Sequence, residues 1–279
     1  NTLIDIANNY EVDILDIRAA KEYDGLFFLM EAKGRQFLRK DHTKIVLTYM
    51  IEFYANSLSY YDEVDYIIMP SKFLAEKYGF ADRDKCLYLG SSKYDVKLDE
   101  NQILKKYNLP KDKKKALVLA PRTRDLNNFD LNKMYKILRK HNYDVVVKTR
   151  GKDRLPDRLM GDYYFEDASW FPHTSMELMK VSDIIINFSS TAIKEALLLN
   201  KPLINFHIKP HSLDILFGFM YNHEYCKNLS KEFDEDELIS AIKELQIKDL
   251  SKEYELAIGK YLFTGNSSKR ILNHFLGEK

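Results

Sequence analysis

Residues 181–207 read VSDIIINFSSTAIKEALLLNKPLINFH, and this segment predicts the type of fold. DIIIN, at 183–187, is a short apolar run rich in isoleucine, which predicts a strand buried on both faces. Residues 192–199 are helix formers without glycine or proline, and the Lys-Pro pair at 201–202 ends that helix before a second apolar strand at 203–206. Strand, turn, helix and strand in this order form one unit of a parallel α/β sheet.

The turn between the first strand and the helix predicts a nucleotide site. Ser189, Ser190 and Thr191 place backbone N–H groups and hydroxyls at the positive end of a helix, where anions bind. Glu195 follows about one turn later, and we expect it to face the same crevice and to accept hydrogen bonds from a ribose. The alternative is an ordinary helix cap with Glu195 in solvent.

Composition limits the class of protein. The 279 residues suffice for one large or two smaller domains. With 43 basic and 42 acidic residues the net charge is +1, which argues against generic nucleic-acid binding. Cys86 and Cys226 form no spaced pair, so we expect a reduced, cytoplasmic protein without a metal cluster or cofactor.

Three further features concern the surroundings of the protein. No apolar run approaches the ~20 residues that are needed to cross a membrane. The 19 tyrosines and 16 phenylalanines would suit sugar or lipid-linked acceptors, and they keep peripheral association with the inner face of the membrane open. The chain begins at Asn1 without a methionine, which leaves open whether the amino-terminal domain is complete.

The first 95 residues predict an amino-terminal α/β domain. Apolar runs predict strands at 25–30, 44–49, 65–69 and 87–90, and Ser71 is placed to cap a helix at 72–78. Glu52 follows the second of these strands at its carboxyl end, where open α/β sheets bind ligands. We therefore consider it as a catalytic base; a surface glutamate that opens the next helix is the alternative.

The rest of the chain predicts a second domain of the same kind. The expected elements are a helix at 99–107, a solvated lysine linker at 111–115, strands at 116–120 and 143–148, a helix at 131–140, and a helix that begins with a capping box of Thr174 and Glu177. Alternating strands and helices predict a doubly wound parallel sheet whose strands end along one edge.

Polar clusters follow three strands of this second domain. They are Arg122 with Arg124, Lys148 with Arg150, and the turn 189–191. Because the strand ends meet at one edge, we expect these groups to converge on a diphosphate, for which guanidinium groups and turn N–H groups are suitable ligands. The alternative is that Arg124 and Lys148 only pair with the nearby acids Asp125 and Asp144.

Histidines and serines supply the remaining candidates for the nucleotide site. His207 and His211 follow the strand at 203–206, so we expect both to line the binding cleft. Ser267 and Ser268 open the final helix, where they would face phosphate or form a simple capped turn.

Several motifs resemble two known enzyme families. APRTRD at 120–125 resembles a strand end of the teichoic-acid CDP-glycerol glycerophosphotransferases, and 183–206 resembles their DYSS…KP segment. The same segment aligns without gaps to the SGG-x-QEEA…GKP segment of UDP-N-acetylglucosamine 2-epimerases, with 189–191 on SGG and Glu195 on the second glutamate. Residues 89–95 resemble the interdomain turn of the first family, and 265–270 the start of the last helix in both. The resemblance covers roughly the carboxyl two-thirds of the chain.

The resemblance implies the α/β fold class GT-B, with two Rossmann-like domains facing each other across a cleft. The expected division is 1–95 for the acceptor-side domain, 96–260 for the nucleotide-binding domain, and 261–279 for a final helix that packs back towards the first domain. The chain departs from the teichoic-acid enzymes at Lys148-Thr149-Arg150-Gly151, where they carry Lys-x-His-Pro, so a histidine role has passed to Arg150 or is lost.

These features predict a transferase that uses a nucleotide sugar or CDP-glycerol to modify a glycan or lipid-linked acceptor of the cell envelope. Glu52 would be the base, and Arg124 and Arg150 would stabilise the departing phosphate without a metal. The alternatives are a UDP-N-acetylhexosamine 2-epimerase or hydrolase and a non-catalytic nucleotide-sugar-binding protein. The sequence does not indicate an oligomeric state.

Overall fold

The computed structural model describes residues 19–32, 34–48, 55–80, 83–126, 129–150, 154–167, 173–208, 218–263 and 265–277. The chain divides into two compact units. The first contains residues 1–96 and 257–279, and the second contains residues 97–256.

The first unit is built on a parallel sheet. Its described strands are β1 (Leu26–Met30), β2 (Thr43–Leu47), β3 (Tyr66–Ile68) and β4 (Cys86–Leu87), in the spatial order β1-β2-β3-β4. Helix α1 (Lys72–Lys77) follows β3, and the Ser71 hydroxyl caps it by accepting from the Leu74 N–H at 3.2 Å, as the sequence predicts.

The second unit has a larger parallel sheet. Its strands are β5 (Lys114–Leu119), β6 (Tyr143–Thr149), β7 (Tyr163–Glu166), β8 (Ile184–Asn187), β9 (Leu203–Phe206) and β10 (Cys226–Leu229), in the order β10-β9-β8-β5-β6-β7. Its helices are α2 (Glu100–Lys106), α3 (Leu131–Lys140), α4 (His173–Lys180), α5 (Ile193–Leu198) and α6 (Glu235–Ile247). Helix α7 (Ser251–Tyr261) carries the chain from the second unit into the first, where α8 (Ser267–Leu276) follows.

Apolar strands account for the core of the second unit. Residues 145–147 of β6 and 184–186 of β8 are fully buried. Helix α3 covers the sheet with Met134, Tyr135 and Leu138, all buried, which are the three residues that its spacing places on one face.

The order of the strands creates a switch point between β5 and β8. From β5 the chain adds β6 and β7 on one side, then crosses to place β8, β9 and β10 on the other side. In open parallel sheets the loops on the two sides of such a point leave a crevice at the carboxyl ends of the strands, and ligands bind there.

Two local predictions are wrong. The lysine run is not a solvated linker throughout, because β5 begins at Lys114 and Lys115 is buried. Lys115 is held there because its N–H donates to Asp183 Oδ2 at 2.7 Å and its Nζ donates to the Lys113 carbonyl at 2.6 Å.

The predicted capping box at Thr174 is also absent. Helix α4 already includes His173, so Thr174 lies inside the first turn and cannot be the N-cap residue. The Glu177 carboxylate accepts hydrogen bonds from Lys106 and Tyr107 instead. In the part of the chain that the structure describes, no helix is long and apolar enough to span a bilayer.

Candidate functional site

The polar clusters that follow β5, β6 and β8 lie at one edge of one sheet. Leu119 pairs with Lys148 across β5 and β6, and Val118 pairs with Ile186 across β5 and β8. The three strands are therefore neighbours and end at the same level. The switch point lies between β5 and β8, so the clusters after these two strands border its crevice.

The guanidinium groups at this edge are available to a ligand. After β5, Arg122 precedes a short 3-10 turn (Thr123–Asp125) that contains Arg124. Arg150 directly follows β6, and all three arginine side chains are exposed. Within the described residues Arg122 and Arg150 make no hydrogen bond or ion pair. Arg124 reaches Asp125 only at 3.8 Å with 72% of its side chain exposed, and an exposed pair of this kind contributes little.

Lys148 is the half-buried cation of the edge. Burial lowers its pKa; the charge of Arg150 acts in the same direction, whereas Asp167 and Glu195 act to raise it. Its ammonium group has no hydrogen-bond acceptor among the residues that the structure describes. Asp144, at the other end of β6, lies 3.4 Å from Lys113, so the alternative pairing of Lys148 with Asp144 is wrong.

The turn 189–191 combines a strained backbone with available donors. Ser189 is buried and has a left-handed conformation (φ 48°), which is uncommon for a residue other than glycine. Its N–H donates to Asn205 Oδ1 at 2.9 Å. The N–H groups of Ser190 and Thr191 have no acceptor within the described part of the chain, so both remain for a ligand.

Glu195 lies on the inner side of the short helix α5. It is only 5% exposed, so it is not the solvated residue of the alternative interpretation. Its charge reaches Lys148, which places a carboxylate and an ammonium group beside the same crevice.

His207 borders the turn from β9. Its exposed ring brings Nδ1 to 3.4 Å from Ser189 Oγ and Nε2 to 3.0 Å from Asn228 Oδ1. Asn205 Nδ2 also lies 3.2 Å from Nε2, so the ring contacts the turn through Nδ1 and two asparagines through Nε2.

A row of asparagines was not predicted from the sequence. Asn187 is the last residue of β8, and it lies in register with Asn205 and Asn228, the penultimate residues of β9 and β10. We refer to the three as the asparagine row. Asn187 Nδ2 donates to Asn205 Oδ1 at 3.0 Å and Asn205 Nδ2 donates to Asn228 Oδ1 at 3.1 Å. An asparagine inside an otherwise apolar strand is the available signal, but only the register brings the three together.

Ser267 and Ser268 belong to the first unit and are fully buried. The Ser268 N–H at the start of α8 donates to the carboxylate of Asp95 at 2.5 Å, and Arg270 donates to Ser267 Oγ at 3.0 Å. An internal carboxylate therefore occupies this helix terminus, which favours the capped turn over a phosphate site.

Gly90 packs tightly against the start of α8. A Cβ at this glycine, whose φ is +88°, would lie 2.3 Å from Ser267 Oγ. The glycine in the segment 89–95 is thus required by a close approach of backbone and side chain.

Two predicted residues, Glu52 and His211, lie outside the described residues. In the first unit Glu31, which was not predicted from the sequence, follows β1 at the carboxyl edge of the sheet. Glu31 is 5% exposed, has a left-handed backbone (φ 54°) and accepts a hydrogen bond from Tyr61 Oη at 3.0 Å. Across the described ranges, no group of three or more His, Cys, Asp or Glu side chains could hold a metal ion.

The fold is similar to those of several solved enzymes. A variant of the wall teichoic acid polymerase TagF soaked with CDPG shares 18% of its residues, over 85% of this chain and 67% of that one, with a TM-score of 0.59. A protein from Listeria monocytogenes described as a candidate UDP-N-acetylglucosamine 2-epimerase shares 12%, over 99% of this chain and 80% of that one, with a TM-score of 0.58. The glycotransferase of kitacinnamycin shares 12%, over 98% and 78%, with a TM-score of 0.50.

No protein-family model matches the sequence, and no curated protein sequence matches it either. At identities of 12–18% the structural likeness establishes the fold. The predicted class, α/β of GT-B type with two Rossmann-like domains, is confirmed.

Proposed function

We propose that this chain is a GT-B transferase that uses a nucleotide-diphosphate donor, either a nucleotide sugar or CDP-glycerol, to modify a glycan or lipid-linked acceptor of the cell envelope. The observation that carries the proposal is that three cations without an ion pair among the described residues, Arg122, Lys148 and Arg150, and the N–H groups of the turn converge beside the switch point of the second sheet. Such a set of donors matches a dianionic diphosphate. The reaction would take place in the cytoplasm, at the inner face of the membrane where the acceptor is lipid-linked.

The donor would be held by three groups with separate tasks. Arg122, Lys148 and the turn 189–191 bind the diphosphate, and His207 and His211 extend this border of the site. Glu195 accepts hydrogen bonds from the ribose hydroxyls. This assignment is supported by the electrostatic effect of Glu195 on Lys148, because the ribose of a nucleotide is esterified to the first phosphate and both parts would lie beside this pair.

Transfer would need a base for the acceptor and positive charge for the leaving group. Glu52 removes the proton from the acceptor hydroxyl, whose oxygen forms a bond to sugar C1 or to the β-phosphorus of CDP-glycerol. The bond to the departing nucleotide breaks in the same displacement, and Arg124 and Arg150 stabilise the negative charge that develops on it. Positive side chains serve this purpose without a metal or cofactor.

An epimerase or hydrolase of UDP-N-acetylhexosamine is the second candidate. It is favoured by the gapless match of residues 189–196 to the epimerase segment and by the likeness to the Listeria structure over 99% of this chain. The absence of the teichoic-acid histidine, at Arg150, keeps a non-catalytic nucleotide-sugar-binding protein as the third candidate.

Radiolabelled donors separate the three candidates. UDP-sugars and CDP-glycerol are incubated with the full chain, with and without glycan and lipid-linked acceptors. Turnover that requires an acceptor supports the transferase, and turnover without one supports the epimerase or hydrolase. Binding without turnover supports the third candidate, whereas a chain that binds no nucleotide contradicts all three.

A further inference from the structure

The asparagine row lies directly beside the strained turn of the candidate site. Asn187 and Asn205 are fully buried, whereas Asn228 is exposed at the open end of the row. Buried amides are retained in a strand only when their hydrogen bonds are satisfied. The carboxamide of Asn205 meets this condition, because its Oδ1 accepts from Asn187 and Ser189 and its Nδ2 donates to Asn228.

The row holds the turn from two sides. Asn205 Oδ1 accepts the Ser189 N–H at 2.9 Å, which fixes the residue with the left-handed backbone. On the other side Tyr221 Oη donates to the Ser190 carbonyl at 2.7 Å and accepts from Asn187 Nδ2 at 3.1 Å. The backbone is thus fixed immediately before and after the peptide bond that joins Ser189 and Ser190.

This restraint has a consequence for the two N–H groups that follow. A left-handed conformation is sterically unfavourable for serine, so an unrestrained turn would relax to a right-handed or extended conformation. Relaxation would rotate the peptide that carries the Ser190 N–H. The buried Oδ1 of Asn187 has no hydrogen-bond partner in the described part of the chain. This unsatisfied acceptor is a further sign that the residues around the turn are not arranged only to satisfy their own hydrogen bonds.

We propose that the asparagine row is a positioning device for the donor diphosphate: Asn205 holds Ser189 in its left-handed conformation, so that the N–H groups of Ser190 and Thr191 point at phosphate. The inference rests on the proposed nucleotide site. Asn205 itself touches no ligand and acts through the turn. The row would therefore determine affinity for the phosphates and leave affinity for the nucleoside unchanged.

The test compares ligands that differ only in their phosphates. The full chain is titrated calorimetrically with UDP and CDP, and uridine and cytidine are measured by competition. Asn205→Ala should weaken the diphosphates about tenfold, since one buried hydrogen bond of the turn is lost, and should leave the nucleosides within twofold. Asn228→Ala, at the exposed end of the row, should act in the same direction but more weakly.

A second-site change distinguishes positioning from general damage. Glycine adopts a positive φ without strain, so Ser189→Gly in the Asn205→Ala background should recover most of the lost diphosphate affinity. Asn200→Ala is the matched control, because Asn200 is also left-handed (φ 52°) but precedes β9 at the opposite edge of the sheet. It should lower the melting temperature without changing diphosphate affinity.

The outcomes separate this inference from the proposed function. If the wild-type chain binds neither UDP nor CDP, the proposed site fails and the inference fails with it. If the wild type binds UDP and CDP, and Asn205→Ala and Asn228→Ala bind them as tightly as the wild type does, only the positioning role is refuted. Equal losses for nucleoside and diphosphate, or no rescue by glycine, would also refute it. If Asn205→Ala does not fold, Asn228→Ala alone decides by the same comparison.

Discussion

Replacing Lys148 by methionine should weaken nucleotide binding and, at the same time, raise thermal stability. Lys148 is half-buried at the end of β6, and its ammonium group has no hydrogen-bond acceptor among the described residues. Burial lowers its pKa from the usual 10.5, which means that the folded protein disfavours the charged form. A lysine that is costly to the fold and lies near the exposed Arg150 is expected to serve a ligand.

The loss of affinity can be worked out from one interaction. A hydrogen bond that involves a charged group contributes about 1.5–3 kcal/mol. At about 1.4 kcal/mol for each tenfold change, Lys148→Met should weaken UDP and CDP by about 10- to 150-fold. Because Lys148 is half-buried, salt should screen its interaction with the ligand less than it screens that of the exposed Arg124. The loss of affinity in Lys148→Met should therefore depend less on salt than the loss in an Arg124 variant.

The sign of the stability change follows from the direction of the pKa shift. Between the lowered pKa and 10.5 the unfolded chain binds the proton that the folded chain has released, so the free energy of unfolding rises with pH in that window. At neutral pH the folded state carries the full cost of the buried charge. Lys148→Met removes this cost, so its advantage in melting temperature should be largest near pH 7 and should shrink towards pH 10.

Calorimetry and thermal melting on the same samples test both effects. Lys114→Met is the matched control, because it makes the same substitution at an exposed position. Lys114 is the first residue of β5 and lies at the amino edge of the sheet, whereas Lys148 lies at the carboxyl edge. If Lys148→Met binds UDP and CDP with wild-type affinity, Lys148 is not a ligand of the diphosphate. A melting temperature lower than that of the wild type at pH 7 would show that the lysine stabilises the fold, contrary to this reasoning.

Three other predictions address the same sheet edge. Glu195→Gln should weaken the binding of nucleosides and nucleotides alike, about tenfold or more, because a charged hydrogen bond is lost. Ser190→Ala should weaken only the binding of diphosphates. If both variants lose affinity only for the diphosphate, Glu195 is not a ribose ligand. A truncated chain of residues 97–256 should keep most nucleotide affinity by calorimetry, and a folded truncation that binds no UDP or CDP would place the site elsewhere. His207→Gln should lower turnover more than stability, and a lower melting temperature with unchanged specific activity would show that the histidine only packs.

The regular elements of the second unit were largely predictable, because their apolar pattern is local. Helix Leu131–Lys140 and strand Leu203–Phe206 begin and end where the sequence places them. The start of β5 was not predictable, because a lysine run predicts a solvated segment. The backbone of Lys115 instead completes a hydrogen bond to Asp183, a residue 68 positions away, and no local pattern reports such a partner.

The candidate site was predictable to the same extent. The clusters at Arg122, Lys148 and 189–191 follow strands, and the rule for parallel sheets brings strand ends together. The asparagine row could not be predicted, because its three members are separated in sequence by 18 and 23 residues and meet only through the register of three strands. For Ser267 and Ser268 the sequence left a phosphate site and a capped turn open, and the hydrogen bond to Asp95, 173 residues away in sequence, favours the capped turn.

The two faces of this sheet edge explain how the fold tolerates such a site. Along β8 and β9 the asparagines alternate with Phe188 and Phe206, so the polar row lies on one face and the rings lie on the other. The rings pack with Phe129 at centroid distances of 5.1 and 4.8 Å, within the range in which aromatic pairs contribute about 0.5–1.5 kcal/mol each beyond their burial. A strained serine, a buried Asn187 Oδ1 without a partner in the described part of the chain, and a desolvated lysine all weaken the strand ends on the polar face. The aromatic cluster stabilises the same strand ends from the other face of the sheet, which allows the polar face to keep the donors for which we propose a phosphate ligand.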